Sequence, residues 1–469
     1  RAPSLTGPDG TPSAPLLDRD EERHRLHRFL SRGRSVRLTA PPGAGRSALL
    51  AAVARDCADL APDGVIRLSG YRRTPEDLLH ELYAAVHHTP AYRPGSTELA
   101  AALRVIGAVV VVDDLEFGGA ALDELLDATP ECAFLLAAHP GVPGPENPSR
   151  VEEAELTGLD LDACLELLRR ALGRALEPAE ADWAAGVWRD TGGLPRRFAQ
   201  AAGVAGSRPP ADRLATALAD GSPEAGREIL RYAVALGGEL PGPERLAAMT
   251  GNPGAPAAHG ELLTHGLIGI AGLRHRLAPG IQGELLAAGY GEGSADRLHT
   301  AAQHYAWWLS RPEATHADAA EEAEALLAVA TAALRAGHAA AVSALARAAA
   351  PLLAAGPRWG VWEGMLHAGL EAAGAAEEVA QQAYFRHELG VLAILHGRFD
   401  RARAELEAST ELHSAVEDTG GLLMDRRALA LVTDLTTPPA RAALLPVPAP
   451  IGPPPPPAVG AEDQTQVIP

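Results

Sequence analysis

Residues 35–50, SVRLTAPPGAGRSALL, decide how the rest of this 469-residue chain is read. Val36, Leu38 and Thr39 make a short β-type run, Pro41 to Gly45 break it, and Ser47-Ala48-Leu49-Leu50 opens a helical pattern. That order is the layout of a phosphate-binding loop, G-x-x-x-x-G-K-[ST], in which backbone N–H groups and a helix N-terminus surround a polyphosphate. In register, Ala40 stands at the first Gly, Gly45 fits, Arg46 replaces the Lys, and Ser47 supplies the hydroxyl for Mg²⁺. The candidate phosphate-binding residues are therefore Pro42, Gly43, Ala44, Gly45, Arg46 and Ser47. Two of the four fixed positions are altered, so an ordinary Pro/Gly turn is the competing reading.

A second segment lies at the spacing such a loop requires. Residues 109–114, VVVVDD, form an apolar run ending in two carboxylates, the pattern of a parallel strand buried on both faces. Carboxylates at the C-terminal end of such a strand sit where open α/β sheets bind ligands. Asp113 is then placed to hold Mg²⁺ opposite Ser47, and Asp114 to polarise an attacking water. The plain alternative is a core strand that merely ends in two aspartates.

Composition narrows the class. The chain has 41 basic and 60 acidic residues, a net charge of −19, which disfavours broad binding to nucleic acid or anionic membranes. It contains no lysine, so every basic residue is arginine, and Arg46 reads either as compositional drift or as a lost function. Arg is a wider, more weakly hydrated cation than Lys and does not substitute freely. Three cysteines, Cys57, Cys132 and Cys164, lie in apolar settings without C-x-x-C spacing, as expected of reduced core thiols in a cytoplasmic protein. No apolar run reaches membrane-spanning length, and no signal peptide is evident. The first residue is Arg1 and the last stretch is Pro-rich, which reads as an excerpt of a longer polypeptide.

Along the chain, residues 1–15 read as a disordered lead. Residues 16–150 alternate helices (20–30, 75–86 with Thr74 as N-cap, 98–104, 122–126) with strands (65–68, 109–112, 133–137), as in a doubly wound sheet. Residues 141–150 read as a loop, and 151–218 as a helical subdomain. Residues 219–293 give three helices, the first capped by Ser222, and a hairpin at 267–277, a winged-helix pattern. Its third helix carries no Arg over 257–265, which disfavours base reading in DNA. Residues 294–435 are helical and Ala-rich. Within them, 384–409 fits the tetratricopeptide pattern at Leu389, Gly390, Gly397, Phe399, Ala402 and Leu406. Trp307, Trp308, Trp359 and Trp362 are expected to fill gaps between helices. Residues 436–469 form a Pro-rich tail with Pro453 to Pro457 consecutive and a candidate phosphorylation site at Thr465.

Taken together, Leu17-Asp18-Arg19, the phosphate loop, the Asp pair, the segment from Leu156 to Asp160, and Gly193-Leu194-Pro195 resemble the STAND-class (NB-ARC-like) P-loop ATPases of actinobacterial type. The resemblance implies a multidomain α/β + α fold: a P-loop parallel sheet, a helical subdomain, a winged-helix-like domain and a repeat array. It further implies ATP or ADP with Mg²⁺ as ligand, Arg19 along the adenine and Pro195 against the nucleotide. A protein partner docking on the repeats and a homo-oligomer are further expectations of the resemblance. Departures accompany it: Ala137-Ala138-His139 stands where the family ends a strand in Thr/Ser-Arg, and Leu277-Ala278-Pro279 where it carries Met-His-Asp. Slow or absent hydrolysis with retained binding is therefore expected. The alternatives are a scaffold that binds no nucleotide, or a DNA-binding regulator whose effector domain lies elsewhere.

Overall fold

A computed structural model describes residues 16–88, 92–271 and 274–437. The expected disordered lead, the Pro-rich tail from 438 onward with Pro453 to Pro457 and Thr465, and Leu273 of the expected second hairpin strand lie outside them.

The first helix, α1 (Asp20–Leu30), begins with three acidic residues, which complement its N-terminal partial charge, and buries Leu26 and Leu30. Then come β1 (Ser35–Thr39), α2 (Arg46–Asp56), β2 (Val65–Ser69), α3 (Pro75–His87), α4 (Ser96–Leu103), β3 (Val109–Leu115), α5 (Ala120–Ala128), β4 (Ala133–Ala138) and β5 (Val151–Glu155). A capping box between Thr74 and Asp77 starts α3, with Pro75 in its first turn. The five strands form one parallel sheet in the order β2-β3-β4-β1-β5. Strand periodicity divides its core. Val109, Val111 and Leu135 face Leu26 and Leu49 of α1 and α2, while Val110, Val112 and Leu136 face Leu78, Leu82 and Leu122 of α3 and α5.

β5 has no counterpart in the sequence reading, which passes from loop to helix there. Its sequence, VEEAE, buries only Val151 and Ala154, so the apolar signal is thin. Edge strands tolerate charge. Here Glu153 pairs with Arg37 (2.8 Å) and Glu152 with Arg34 (2.6 Å), both arginines lying on or beside β1. The sheet thus runs to Glu155, past the expected boundary at 150.

Beyond the sheet come α6 (Leu161–Leu172), α7 (Pro178–Thr191), α8 (Pro195–Gly203) and α9 (Leu214–Gly221). Next are α10 (Glu224–Ala235), α11 (Pro243–Thr250), α12 (Ala255–Thr264), the antiparallel pair β6 (Ile268–Ala271) and β7 (Arg274–Leu277), and α13 (Ile281–Ala287). Ser222 does not cap α10; its hydroxyl donates back to the Leu218 carbonyl at the end of α9. A cavity of about 330 Å³ separates α8 and α9 from α10 and α12, walled by Val204, Leu218, Leu262, His265 and Leu267. In α12, His259 is buried, and burial beside His275 and Arg274 pulls its pKa down to about 4. The unfolded chain takes up this proton near pH 6.5, the folded chain only near 4, so stability falls as pH drops through that window. Urea unfolding at pH 4.5 rather than 7 is expected to cost about 2–3 kcal/mol through this group. A His259→Leu variant should lose correspondingly less stability on acidification.

The remainder is antiparallel helices: α14 (Ser294–Leu309), α15 (His316–Glu321), α16 (Ala323–Arg335), α17 (Ala339–Ala354), α18 (Trp359–Ala375), α19 (Val379–Leu395), α20 (Phe399–Ala415) and α21 (Thr419–Thr436). Small residues set their spacing. A Cβ on Gly390 would meet Leu406 at 2.6 Å, and one on Gly369 would meet Phe385 at 2.6 Å. Trp362 is buried, but Trp307 stands 57 % exposed with Arg311 over its ring, contrary to the expected gap-filling role. Between α19, α20 and α21 the fully buried Asp425 carboxylate accepts from His387 Nδ1 (2.7 Å), His413 Nδ1 (2.8 Å) and Ser409 Oγ (3.0 Å). Cys57, Cys132 and Cys164 are buried free thiols, and burial raises the first to about 11 and the last to about 12. Among the described residues, no helix is long and apolar enough to cross a membrane.

Candidate phosphate-binding site

Parallel pairing puts the ends of β1, β3 and β4 on one edge of the sheet. Thr39 pairs with Ala138, and Ala138 with Leu115, so the loop after β1 and the Asp113-Asp114 pair leave the same edge with β4 between them. Between Val112 and Leu115 the register shifts: Asp113 and Asp114 together oppose Ala137 of β4. This is a β-bulge, a device that re-aims side chains. Asp114 occupies the left-handed region (φ 52°), which Asp tolerates better than most residues. Asp113 Oδ1 accepts from the Asp114 backbone N–H (2.9 Å), fixing the pair.

The loop itself uses Gly43 (φ 91°) and Gly45 (φ 95°) where the backbone turns left-handed. Neither Ala40 nor Ala44 has positive φ, and both are buried, so alanine fits at the altered first position. Pro41 O accepts from Ala44 N–H (3.2 Å), closing the turn in which Pro42 sits. Arg46 opens α2 and reaches across the end of β4. Its Nη1 donates to the carbonyls of Ala40 (3.2 Å) and Ala138, and its Nη2 lies 3.7 Å from Asp114 Oδ1. Ser47 is exposed in the first turn of α2.

Two arginines absent from the sequence reading join this edge. Arg196 follows Pro195 in the first turn of α8. Its backbone N–H donates to Gly43 O (3.2 Å), its side chain lies over Gly43, and its Nη1 donates to Pro279 O (3.0 Å). Among the described residues no carboxylate pairs with it. Burial, together with Arg197, Arg276 and Arg46 nearby, pulls its pKa down to about 10. Arg276 of β7 donates to Asp114 Oδ2 (3.2 Å) and lies 4.2 Å over the Tyr71 ring. Asp114 is thus gripped by Arg46 and Arg276, while burial and the neighbouring Asp113 raise its pKa. Arg46, Arg196 and Arg276 outnumber Asp113 and Asp114 by one charge, an excess suited to a polyanion. The only sequence signal for Arg196 is its place after Gly-Leu-Pro, and Arg276 carries none.

Pro195 Cγ would lie 3.9 Å from a Cβ on Gly45, so the Gly193-Leu194-Pro195 turn abuts the loop. Gly193 permits this approach with φ 75°, where a Cβ would sit 2.1 Å from Leu159 O; one on Gly158 would sit 1.8 Å from Gly192 O. Arg19 is buried at the start of α1 and donates to Glu22 (3.0 Å) and to the Thr157 carbonyl. It borders a cavity of about 540 Å³ lined by Asp18, Glu22, Asp160, Trp188 and Gly192, among others. The turn from Gly192 to Pro195 connects this cavity to the phosphate loop.

The donor set fits the expected ligand in kind. Backbone N–H groups, left-handed glycines and three guanidiniums suit phosphate oxygens. Ser47 and Asp113 offer the hard oxygens Mg²⁺ prefers.

No protein-family profile and no curated protein matches this sequence. Among solved structures, the chain is similar to a Signal Transduction ATPase with Numerous Domains (STAND) protein with a tetratricopeptide repeat sensor from Pyrococcus horikoshii. That match has 11% identity and a TM-score of 0.42, over 90% of this chain and 81% of the other. A chain of the Drosophila ORC bound to DNA matches with 12% identity and a TM-score of 0.31, over 60% of this chain and 97% of that one. At such values neither likeness bears on activity or partner, and the site stands on its own geometry.

Proposed function

We propose that this chain is a nucleotide-controlled regulatory switch of the STAND type, binding ATP or ADP with weak or absent hydrolysis. The observation that carries it is that Arg46 and Arg196, from the loop and from α8, touch residues 40–43 while Arg276 of β7 sits on the adjoining Asp114. Phosphates would lie against the loop N–H groups and these arginines, with Mg²⁺ on Ser47 and Asp113. The base would occupy the cavity beside Arg19, whose carboxylates repel phosphate but accept from an amine or ribose hydroxyl. Asp114, engaged by two arginines, is poorly placed to polarise water, which fits a binder better than a catalyst. The winged-helix-like unit of α10–α12 and β6–β7 acts as a lid, and the tetratricopeptide-like helices receive a protein partner. Nucleotide biases the closed arrangement only as far as it binds that arrangement more tightly.

A second reading, a scaffold without nucleotide, is favoured by one observation: Arg46 is already satisfied by the carbonyls of Ala40 and Ala138. Titration with fluorescent ATP and ADP, with and without Mg²⁺, decides between them. Saturable binding weakened by Arg46→Ala is the expected result. No binding to the wild-type chain overturns the switch, and binding indifferent to Arg46→Ala overturns the assigned loop.

A further inference from the structure

Strand β7 bears two arginines at positions two apart, hence on one face of the strand, and each is engaged by a different part of the molecule. Arg274 forms a fork with Glu322, between α15 and α16: Nη1 to Oε1 at 3.0 Å and Nη2 to Oε2 at 2.6 Å. Glu322 is buried and held from other sides as well, accepting from the Gly242 backbone N–H (3.2 Å) and the Tyr305 hydroxyl (2.7 Å). A Cβ on Gly242 would stand 2.6 Å from its Oε1, so the glycine is what admits the carboxylate. Two residues away, Arg276 reaches Asp114 and lies over Tyr71, whose hydroxyl donates to the buried Glu239. A parallel tie runs from Arg73, after β2, to Glu324 (2.9 Å), two residues beyond Glu322.

We propose that β7 is a rod through which the helical array governs the phosphate loop. The position of α15–α16 fixes Arg274, Arg274 fixes the strand, and the strand sets whether Arg276 stays on Asp114. A partner that pulls α15–α16 away withdraws one of the three cations at the loop and leaves Asp114 facing Arg46. Arg274 is thus a positioning residue, acting through Arg276. The consequence for nucleotide rests on the switch reading above; the mechanical coupling does not.

Hydrogen–deuterium exchange of the nucleotide-free chain tests the coupling. In Arg274→Gln, the amides of Ala40, of residues 43–47 and of residues 113–116 are expected to exchange at least about tenfold faster. Glu322→Gln keeps an acceptor for Gly242 and Tyr305 and cuts the rod from the other end, so it should give the same pattern. Arg297→Gln, which removes a comparable ion pair to Glu228 (2.7 Å) between α14 and α10, should leave those amides unchanged. Unchanged exchange at the loop in both rod variants, with both folded, overturns the proposal, as does equal acceleration in Arg297→Gln. Where the wild-type chain binds labelled ADP, its release should also quicken in both rod variants. Failure of the wild type to bind sinks the switch reading while the exchange result still judges the rod.

Discussion

Arg196→Ala is expected to weaken ADP binding about a hundredfold while making the nucleotide-free chain more resistant to heat. The first effect follows from a charge-assisted contact to phosphate, worth roughly 2–3 kcal/mol, or one to two decades in affinity. The second follows from the ground state. Arg196 lies among Arg46, Arg276 and Arg197 and is bonded to a neutral carbonyl, and its depressed pKa records that the site resists the charge. Deleting the cation lifts that repulsion, as is usual where a binding site is held at the expense of stability. Fluorescent-ADP titration and thermal unfolding without nucleotide measure the two effects separately. A variant that binds like the wild type places the phosphates elsewhere; one that loses affinity and apo stability together has merely lost packing.

The second large effect lies far from the loop. Asp425→Ala should destabilise the α19–α21 region by about 3–5 kcal/mol, the usual cost of removing one partner from a buried charged network. Two imidazole N–H groups and the Ser409 hydroxyl would lose a shared acceptor where water does not reach. Because stability is distributed unevenly over a chain this long, the loss should appear as lost exchange protection in α19 to α21. The amides of β1, β3 and β4 should keep theirs. Uniform loss across the sheet would mean that the chain unfolds as one unit.

The sheet was legible where apolar runs were unbroken, as at Val109 to Val112, because a strand buried on both faces has no polar face to confuse it. β5 was not, because an edge strand with three glutamates carries its signal in the pairing with Arg34 and Arg37, which no local window contains. That the loop after β1 and Asp113-Asp114 leave the same end of the sheet was readable from spacing; the bulge that turns the Asp pair was not. The placing of Arg196 and Arg276 beside that end of the sheet was invisible, since a lysine-free chain scatters arginine everywhere and only the fold distinguishes those two. The resemblance led to the expectation of an Arg after β4, where the sequence has Ala137-Ala138-His139. In the structure the last residue of that strand, Ala138, offers its carbonyl to the Arg46 guanidinium.

Where Gly158 and Gly193 pass each other, two segments of the chain touch backbone to backbone with no thickness left for a side chain. α6, α8 and the loop that Pro195 abuts are thereby riveted into one block, and the lid we propose would have to swing outside it. The solvent-open cleft between α8–α9 and α10–α12 is no free hinge either: Gln200 Nε2 donates to Gly266 O (3.3 Å), and a Cβ on Gly203 would meet His265 at 2.8 Å.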